Sequence, residues 1–234
     1  MPLKADIIAT RLANVRRTVA ESAERHDRDP AMVRVLAVGK TQPPEAIRAA
    51  AAAGQRDFGA NYLQEALVKM DALTDLALTW HFIGAVQSNK TRPIAERFDW
   101  VHTVDRLKIA RRLSEQRPPD LPPLNICLEV NVSEEPQKAG VALDDLDALA
   151  DTVAGLPHLK LRGLMALPAP SETFEAQREP FRRLASALER LRAAGHDVDT
   201  LSMGMSSDFE AAIAEGATIV RIGTAIFGAR PKKK

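Results

Sequence analysis

Eight short apolar runs, each followed by a segment with helical character, constrain what this chain of 234 residues is able to fold into. The runs lie at 33–40, 57–60, 77–84, 100–105, 125–132, 160–167, 200–206 and 219–222. Helical patterns separate them at 44–53, 61–73, 89–98, 106–117, 143–155, 174–194 and 208–215. Strands that are apolar almost throughout need cover on both faces, which a parallel sheet wrapped in helices provides. Eight such units in a chain of this length predict an α/β fold, a single (β/α)8 TIM barrel spanning residues 1–234. An open doubly wound sheet is the alternative, but no G-x-G-x-x-G follows the first strand, which disfavours its dinucleotide-binding form. Ile8, Leu12, Val15, Val19 and Ala23 recur at spacings of three and four, so residues 4–27 predict an extra amino-terminal helix. Pro44 suits a first helical turn, Gly54, Gly195 and Gly216 suit helix ends, and "PPDLPP" at 118–123 reads as a loop.

Composition removes several classes of function. Thirty-two basic against 31 acidic side chains leave a net charge of +1, so no global field draws the chain to nucleic acid. Cys127 is the only cysteine, which excludes an intrachain disulfide and a thiol-rich metal site, and no metal is expected. "LALTWHFIGAV" is too short to span a bilayer and carries His81, and the amino terminus lacks the continuous apolar segment of a secretory signal. A cytoplasmic, monomeric protein with no membrane partner is expected. The terminal "KKK" reads as a solvated tail.

In a barrel of this kind the chemistry sits at the carboxyl ends of the strands, with phosphate often bound after strands 7 and 8. The candidates at those ends are Lys40, Asn61, His81, Asp105, Asn131, Met165, Ser206, Arg221, Gly223 and Thr224. Ser207-x-x-Glu210 has the form of a capping box, which predicts a helix starting at Ser207 with its amides facing the rim. Gly223 lets backbone amides approach an anion and Thr224 adds a hydroxyl, so the two loops together suggest a phosphate cup. Ordinary helix capping and a tight turn would use the same residues. Arg221 inside "IVRIG" needs a partner, either a core carboxylate or a ligand. A lysine desolvated at the mouth, as Lys40 would be, can form a Schiff base with a carbonyl compound. These features together suit pyridoxal 5′-phosphate (PLP), and they also suit a sugar phosphate held by a Schiff-base lysine.

The segments "LAVGKTQ", "FGANYLQE", "HFIGAVQSNKTR", "VHTVDR", "EVNVSEEPQKAG", "GLMALP", "LSMGMSSDFEAAIAEGAT" and "VRIGTAIFG" occur in order along the chain. In them the sequence resembles the pyridoxal phosphate homeostasis protein family, also called the YggS or PROSC family. That family's fold is a lone barrel related to the amino-terminal domain of alanine racemase. The resemblance implies that Lys40 carries PLP as a Schiff base. It assigns the phosphate to Ser206, Gly223 and Thr224, with Ser207 as an extra contact, and sets Arg221 against the pyridine nitrogen. Asn61, His81, Asn131 and Met203 lie in matching motifs and are carried over as pocket residues. One departure is Ala60, where the family commonly has glutamate.

Other features are read as structural first. His81 suits a barrel histidine bonded to a neighbouring strand before it suits a catalytic acid. Of Met203 and Met205 on strand 7, one is expected to pack inward and the other outward. Lys90 and Arg92 in the basic loop 87–92, and Lys138, read as solvated charges. Racemisation needs a base on each face of the cofactor, and Lys40 supplies one. In the racemase fold the other comes from a second domain and the partner subunit. The chain ends four residues after Arg230, and the lone Tyr62 gives no positive reason to replace that base. The expected function is therefore a non-catalytic carrier that holds PLP, buffers it and passes it to PLP-dependent apoenzymes. A racemase-like activity on a small amino acid is the enzyme alternative, and a Schiff-base aldolase acting on a sugar phosphate is the third.

Overall fold

The computed structural model describes residues 5–133, 135 and 138–228. Eight parallel strands close into a barrel in sequence order: β1 (Arg34–Val38), β2 (Asp57–Ala60), β3 (Thr79–Phe82), β4 (Trp100–Val104), β5 (Leu124–Glu129), β6 (Leu159–Met165), β7 (Thr200–Ser202) and β8 (Ile219–Ile222). The seam is closed by β1 against β8, with Arg34 opposite Ile219 and Leu36 opposite Arg221. Outside lie α1 (Ala5–Arg25), α2 (Pro44–Ala52), α3 (Leu63–Ala72), α4 (Thr91–Arg97), α5 (Leu107–Gln116), α6 (Leu146–Ala154), α7 (Phe174–Ala193), α8 (Phe209–Ala214) and α9 (Thr224–Phe227). The α/β barrel and its extra amino-terminal helix are as the apolar runs predict.

Period-2 alternation divides the strand residues between two environments. Outward residues such as Phe58, Val101, Ile126, Leu164, Leu201 and Val220 join one main core with the helices, running from Ile8 to Phe227. Inward residues form small separate clusters, Leu36, Ile83 and Ile219 on one side and Trp100, Cys127 and Met165 on the other. Arg34 and Arg162 stack on Trp100 at 5.9 and 4.9 Å, below these clusters at the amino-terminal end of the barrel. The Phe181, Leu184, Leu188 and Leu191 stripe of α7 is buried, and Thr173 caps that helix by accepting the Ala176 N–H at 3.3 Å. Helix α1 packs on α2, α8 and α9, where it covers the junction of the first and last units. Among the described residues no helix is long and apolar enough to cross a membrane, and no cluster of three or more His, Cys, Asp or Glu side chains is placed to hold a metal.

Two local expectations are corrected. Strand β7 stops at Ser202, because Gly204 at φ +90° turns the chain away; a Cβ there would lie 2.6 Å from the Ala212 Cβ. The capping box at Ser207 does not form. Helix α8 starts at Phe209, Asp208 takes the Met205 N–H at 2.6 Å, and Glu210 pairs with Arg25 at 2.8 Å. Helix α9 is a single turn without a readable period. The predicted tail lysines at 232–234 and residue 4 of the predicted first helix lie outside the described residues.

Candidate binding site at the carboxyl end of the barrel

Strand β1 ends at Val38, and the next three residues turn across the mouth of the barrel. Thr41 adopts φ +63°, an uncommon conformation for a residue with a branched side chain. Its N–H donates to Glu65 Oε1 at 2.7 Å. Glu65 also pairs with the buried Lys69 one helical turn along α3, and Lys69 Nζ donates to the Gly39 carbonyl at 2.7 Å. This clamp holds the turn that presents Lys40, whose half-buried Nζ lies 4.8 Å from the centre of the Tyr62 ring. Glu65 ends the segment "FGANYLQE" but was given no role, and no motif contains Lys69; their i, i+4 spacing is a further signal.

Two turns at the same mouth expose backbone donors. The Asp208–Met205 bond folds residues 206–208, and among the described residues the Ser206 and Ser207 amides have no acceptor. After β8, the Gly223 carbonyl accepts from Ile226 and Phe227, which leaves the first amides of α9, Thr224 and Ala225, without a partner inside the helix. Gly223 passes close to β1, so that a Cβ there would lie 3.0 Å from the Val38 carbonyl oxygen. Ser206, Ser207 and Thr224 have exposed hydroxyl-bearing side chains beside these amides. The anion-binding capacity rests on these turns, since α8 and α9 are too short to contribute much dipole.

Arg221, on β8 just before the second of these turns, is 4% exposed. Its Nη1 donates to the Ser202 carbonyl at 2.6 Å and to Ser202 Oγ at 2.9 Å, and its Nη2 donates to the Ala166 carbonyl at 2.9 Å. A guanidinium has five N–H donors, so two remain for a ligand. Burial pulls its pKa down to about 10, which still leaves it charged at neutral pH.

These groups line one cavity of about 340 Å³, within the range of small-molecule sites. Lys40, Asn61, Ser206 and Ser207 are all on its wall, as are Arg221, Gly223 and Thr224. Asn61 sits just after β2 with its Oδ1 buried and unpaired. Gly84 makes room for it, because a Cβ at Gly84 would lie 2.0 Å from the Asn61 carbonyl oxygen. Sequence reasoning missed Gln42 and the apolar wall of Val38, Ile83 and Phe227. Apolar strand-end residues carry no motif, although Met165 was marked by its position.

Three expected pocket residues lie elsewhere. His81 is fully buried below the cavity, 3.1 Å from Asp57 Oδ1 and 2.9 Å from His102 Nε2, as a barrel histidine. Met203 shares the outward parity of Leu201 and is fully buried in the main core, so Met205 takes the place on the cavity wall. Asn131 is off the wall as well; its Nδ2 donates to the Glu135 carbonyl at 2.8 Å and its N–H to Val141 at 3.0 Å, tying down the loop after β5. Lys138 pairs with Glu135 at 2.7 Å, and Arg92 with Glu96 at 3.8 Å, both as surface charges.

Residues 10–231 match the family described as alanine racemase, N-terminal domain. A Pseudomonas aeruginosa protein named pyridoxal phosphate homeostasis protein is 62% identical over 223 residues, covering 95% of this chain and 96% of that one. Its namesake in Escherichia coli K12 is 53% identical over 230 residues, covering 97% and 98%. Among solved structures, PipY of Synechococcus elongatus with PLP bound superposes with a TM-score of 0.84 at 39% identity, covering 94% of this chain and all of that one. Alanine racemase from Corynebacterium glutamicum shares the fold at 17% identity and a TM-score of 0.74, and the match covers 98% of this chain but 63% of the racemase.

Proposed function

Because the chain belongs to the alanine racemase N-terminal-domain family, and within it to the pyridoxal phosphate homeostasis proteins, we propose that it binds PLP at Lys40 and holds and hands on that cofactor. The observation that carries this reading is one cavity lined by a primary amine, by free amides and hydroxyls, and by a charged donor. The residues present fit the cofactor group by group. Lys40 suits the aldehyde, Ser206, Ser207, Gly223 and Thr224 suit the phosphate, and the two unused N–H groups of Arg221 suit the ring nitrogen. The buried, unpaired Asn61 Oδ1 marks one further polar position that the cavity leaves for a ligand. When bound, PLP supplies a carbonyl that condenses with a primary amine and a ring that draws electrons from it.

Holding rather than turning over is supported by the same wall. Among the described residues that line the cavity, Lys40 and Arg221 are the only ionisable groups. Arg221 keeps its proton, so it offers the ring nitrogen a hydrogen bond and no proton. Lys40 is left alone to exchange one, where racemisation needs a base on each face. We infer a one-domain cytoplasmic monomer whose recipients are PLP-dependent apoenzymes. A net charge of +1 gives nucleic acid no part in this.

Borohydride reduction of the protein mixed with PLP, followed by peptide mapping, tests the site. Label should fall on the peptide containing Lys40; label chiefly on Lys90 or Lys138 would reject the assignment. The carrier reading is tested with single amino-acid enantiomers in deuterated water and with an apoenzyme in the presence of a trap for free PLP. Little α-deuteration and transfer despite the trap are expected. Exchange at rates typical of enzymes, on the order of 1–10³ per second, would favour the racemase-like alternative.

A further inference from the structure

The inside of the barrel, where apolar side chains would pack well, carries an unbroken line of polar groups. Starting at the cavity, Arg221 Nη1 lies 2.9 Å from Ser202 Oγ, and Ser202 Oγ lies 2.7 Å from His102 Nδ1. His102 Nε2 lies 2.9 Å from His81 Nδ1, and His81 Nε2 lies 3.1 Å from Asp57 Oδ1. Ser202, His102 and His81 are fully buried, whereas the Asp57 side chain is 21% exposed at the opposite mouth, 3.4 Å from Arg34. Five strands, β8, β7, β4, β3 and β2, each contribute one member.

The chemistry of the ends sets the direction of every bond between them. A guanidinium only donates, so the Ser202 hydroxyl accepts from Arg221 and its own proton goes to the other neighbour, His102 Nδ1. His102 is then the Nε2–H tautomer and donates to His81 Nδ1. His81 in turn is the Nε2–H tautomer and donates to the Asp57 carboxylate, which only accepts. Reading from Asp57 upward gives the same assignment. It requires both imidazoles to be neutral, and burial pushes both below the ordinary histidine value, His102 furthest. Burial alone would raise the Asp57 pKa, but the hydrogen bond from His81 and the charge of Arg34 hold it below the usual carboxylate range.

We propose that Asp57, His81, His102 and Ser202 form a one-way hydrogen-bond relay through the barrel that positions Arg221 and strengthens it as a donor to the ring nitrogen of PLP. The proposal rests on the reading of the cavity as a PLP site. The relay carries polarisation and no proton, because Arg221 has none to release. A Ser202 hydroxyl that donates to His102 is a better acceptor for Arg221, and each bond in such a line strengthens the next. Together with the Ser202 and Ala166 carbonyls it fixes the guanidinium plane, which leaves the unused N–H groups for the ligand. Asp57, at the far end of the barrel, is therefore a positioning residue for the cavity.

The test is nitrogen NMR of protein labelled at histidine, with and without PLP. Without ligand, His81 and His102 should both be neutral Nε2–H tautomers at neutral pH; an Nδ1–H tautomer or a charged ring at either would overturn the relay. PLP should then shift the His102 nitrogens. 1-Deazapyridoxal phosphate, which has C–H in place of the ring nitrogen, should bind at Lys40 without that shift. Equal shifts with the two ligands, or none with PLP bound, would also overturn it. In Ser202→Ala, PLP should still bind, with an affinity lower by up to about tenfold and with no His102 response. Asp57→Asn, at the half-exposed end, gives a second variant should Ser202→Ala not fold; it should shift the His81 resonances and diminish the response of His102 to PLP. If PLP fails to bind the unmodified protein, the function proposed above is rejected with its ring-nitrogen contact. The ligand-free tautomers still decide whether the relay exists.

Discussion

Glu129 closes β5 with its side chain turned into the barrel, 6% exposed, on the same parity as Cys127. Burial is the main force raising its pKa and the nearby Asp105 charge adds to it, while Arg221 opposes; the outcome is about 7 against an ordinary 4.5. The folded chain thus keeps a proton that the unfolded chain releases between those values. Folding loses stability as pH rises through that window; the cost is absent below 4.5 and complete above about 7. At about 1.36 kcal/mol for each pH unit between the two values, the full cost is about 3 kcal/mol. That is a large share of the roughly 5–15 kcal/mol that holds a domain folded. Glu129→Gln keeps the shape of the protonated acid and cannot ionise. Urea unfolding of both proteins should therefore show the variant gaining about 3 kcal/mol on the parent between about pH 5 and about pH 8, because all other titrations cancel in the difference. Parallel stability curves across that range would refute the reasoning, and would mean that water or Arg221 solvates the ionised carboxylate.

Two further outcomes follow from the phosphate cup proposed above. Ser206→Ala removes one charge-assisted hydrogen bond, worth about 1.5–3 kcal/mol, or about one to two decades in the Kd for PLP measured by absorbance titration. Pyridoxal lacking the phosphate should bind more weakly still, and equal affinities for the two forms would show that these loops are no phosphate site. Gly204→Ala sets a Cβ 2.6 Å from the Ala212 Cβ at φ +90°, so urea unfolding should register a loss of about 2 kcal/mol or more, and an unchanged midpoint would contradict the packing of α8 on the turn after β7.

The parts of this structure that were legible in the sequence are those written at short range. Alternating apolar runs and amphipathic stripes gave the eight strands and the helices, with errors mainly of a few residues at their ends. Lys40, Ser206, Arg221, Gly223 and Thr224 share one cavity wall because strand ends in a barrel converge on one face, whichever strand they come from. Where local signals competed, the reading failed. At residues 207–210 the capping-box pattern was present, but Asp208 lay closer to the Met205 amide, and Glu210 had Arg25 of α1 to pair with. Met203 was misplaced by parity. A sound motif put it near the cavity, yet a residue two along from the outward Leu201 must face the helices too. His81 was correctly suspected of bonding a neighbouring strand, but its partner could not be named. His102 lies on the adjacent strand, 21 residues away, and Ser202 a further 100 residues along, so only the register and closure of the barrel bring them to touching distance.

The polar line inside the barrel also bears on why this interior is not apolar. Burying two imidazoles, a hydroxyl and a guanidinium costs more than filling the same space with aliphatic side chains, and the hydrogen bonds between them recover only part of that cost. Such an arrangement is stable only while every member is satisfied, since deleting one leaves its neighbours buried and unpaired. The apolar clusters of Leu36, Ile83 and Ile219, and of Trp100, Cys127 and Met165, show that this barrel accommodates apolar filling elsewhere in its interior. Departures from that filling include Glu129 and the line of residues that leads to Arg221. A chain that merely needed to fold would gain by replacing them, whereas one that must hold a donor fixed in a cavity weakens that hold with each member replaced. The sacrifice of stability in the barrel is thus best understood as part of the site, and Asp57, on the far side from Lys40, belongs to it as much as the residues on the cavity wall.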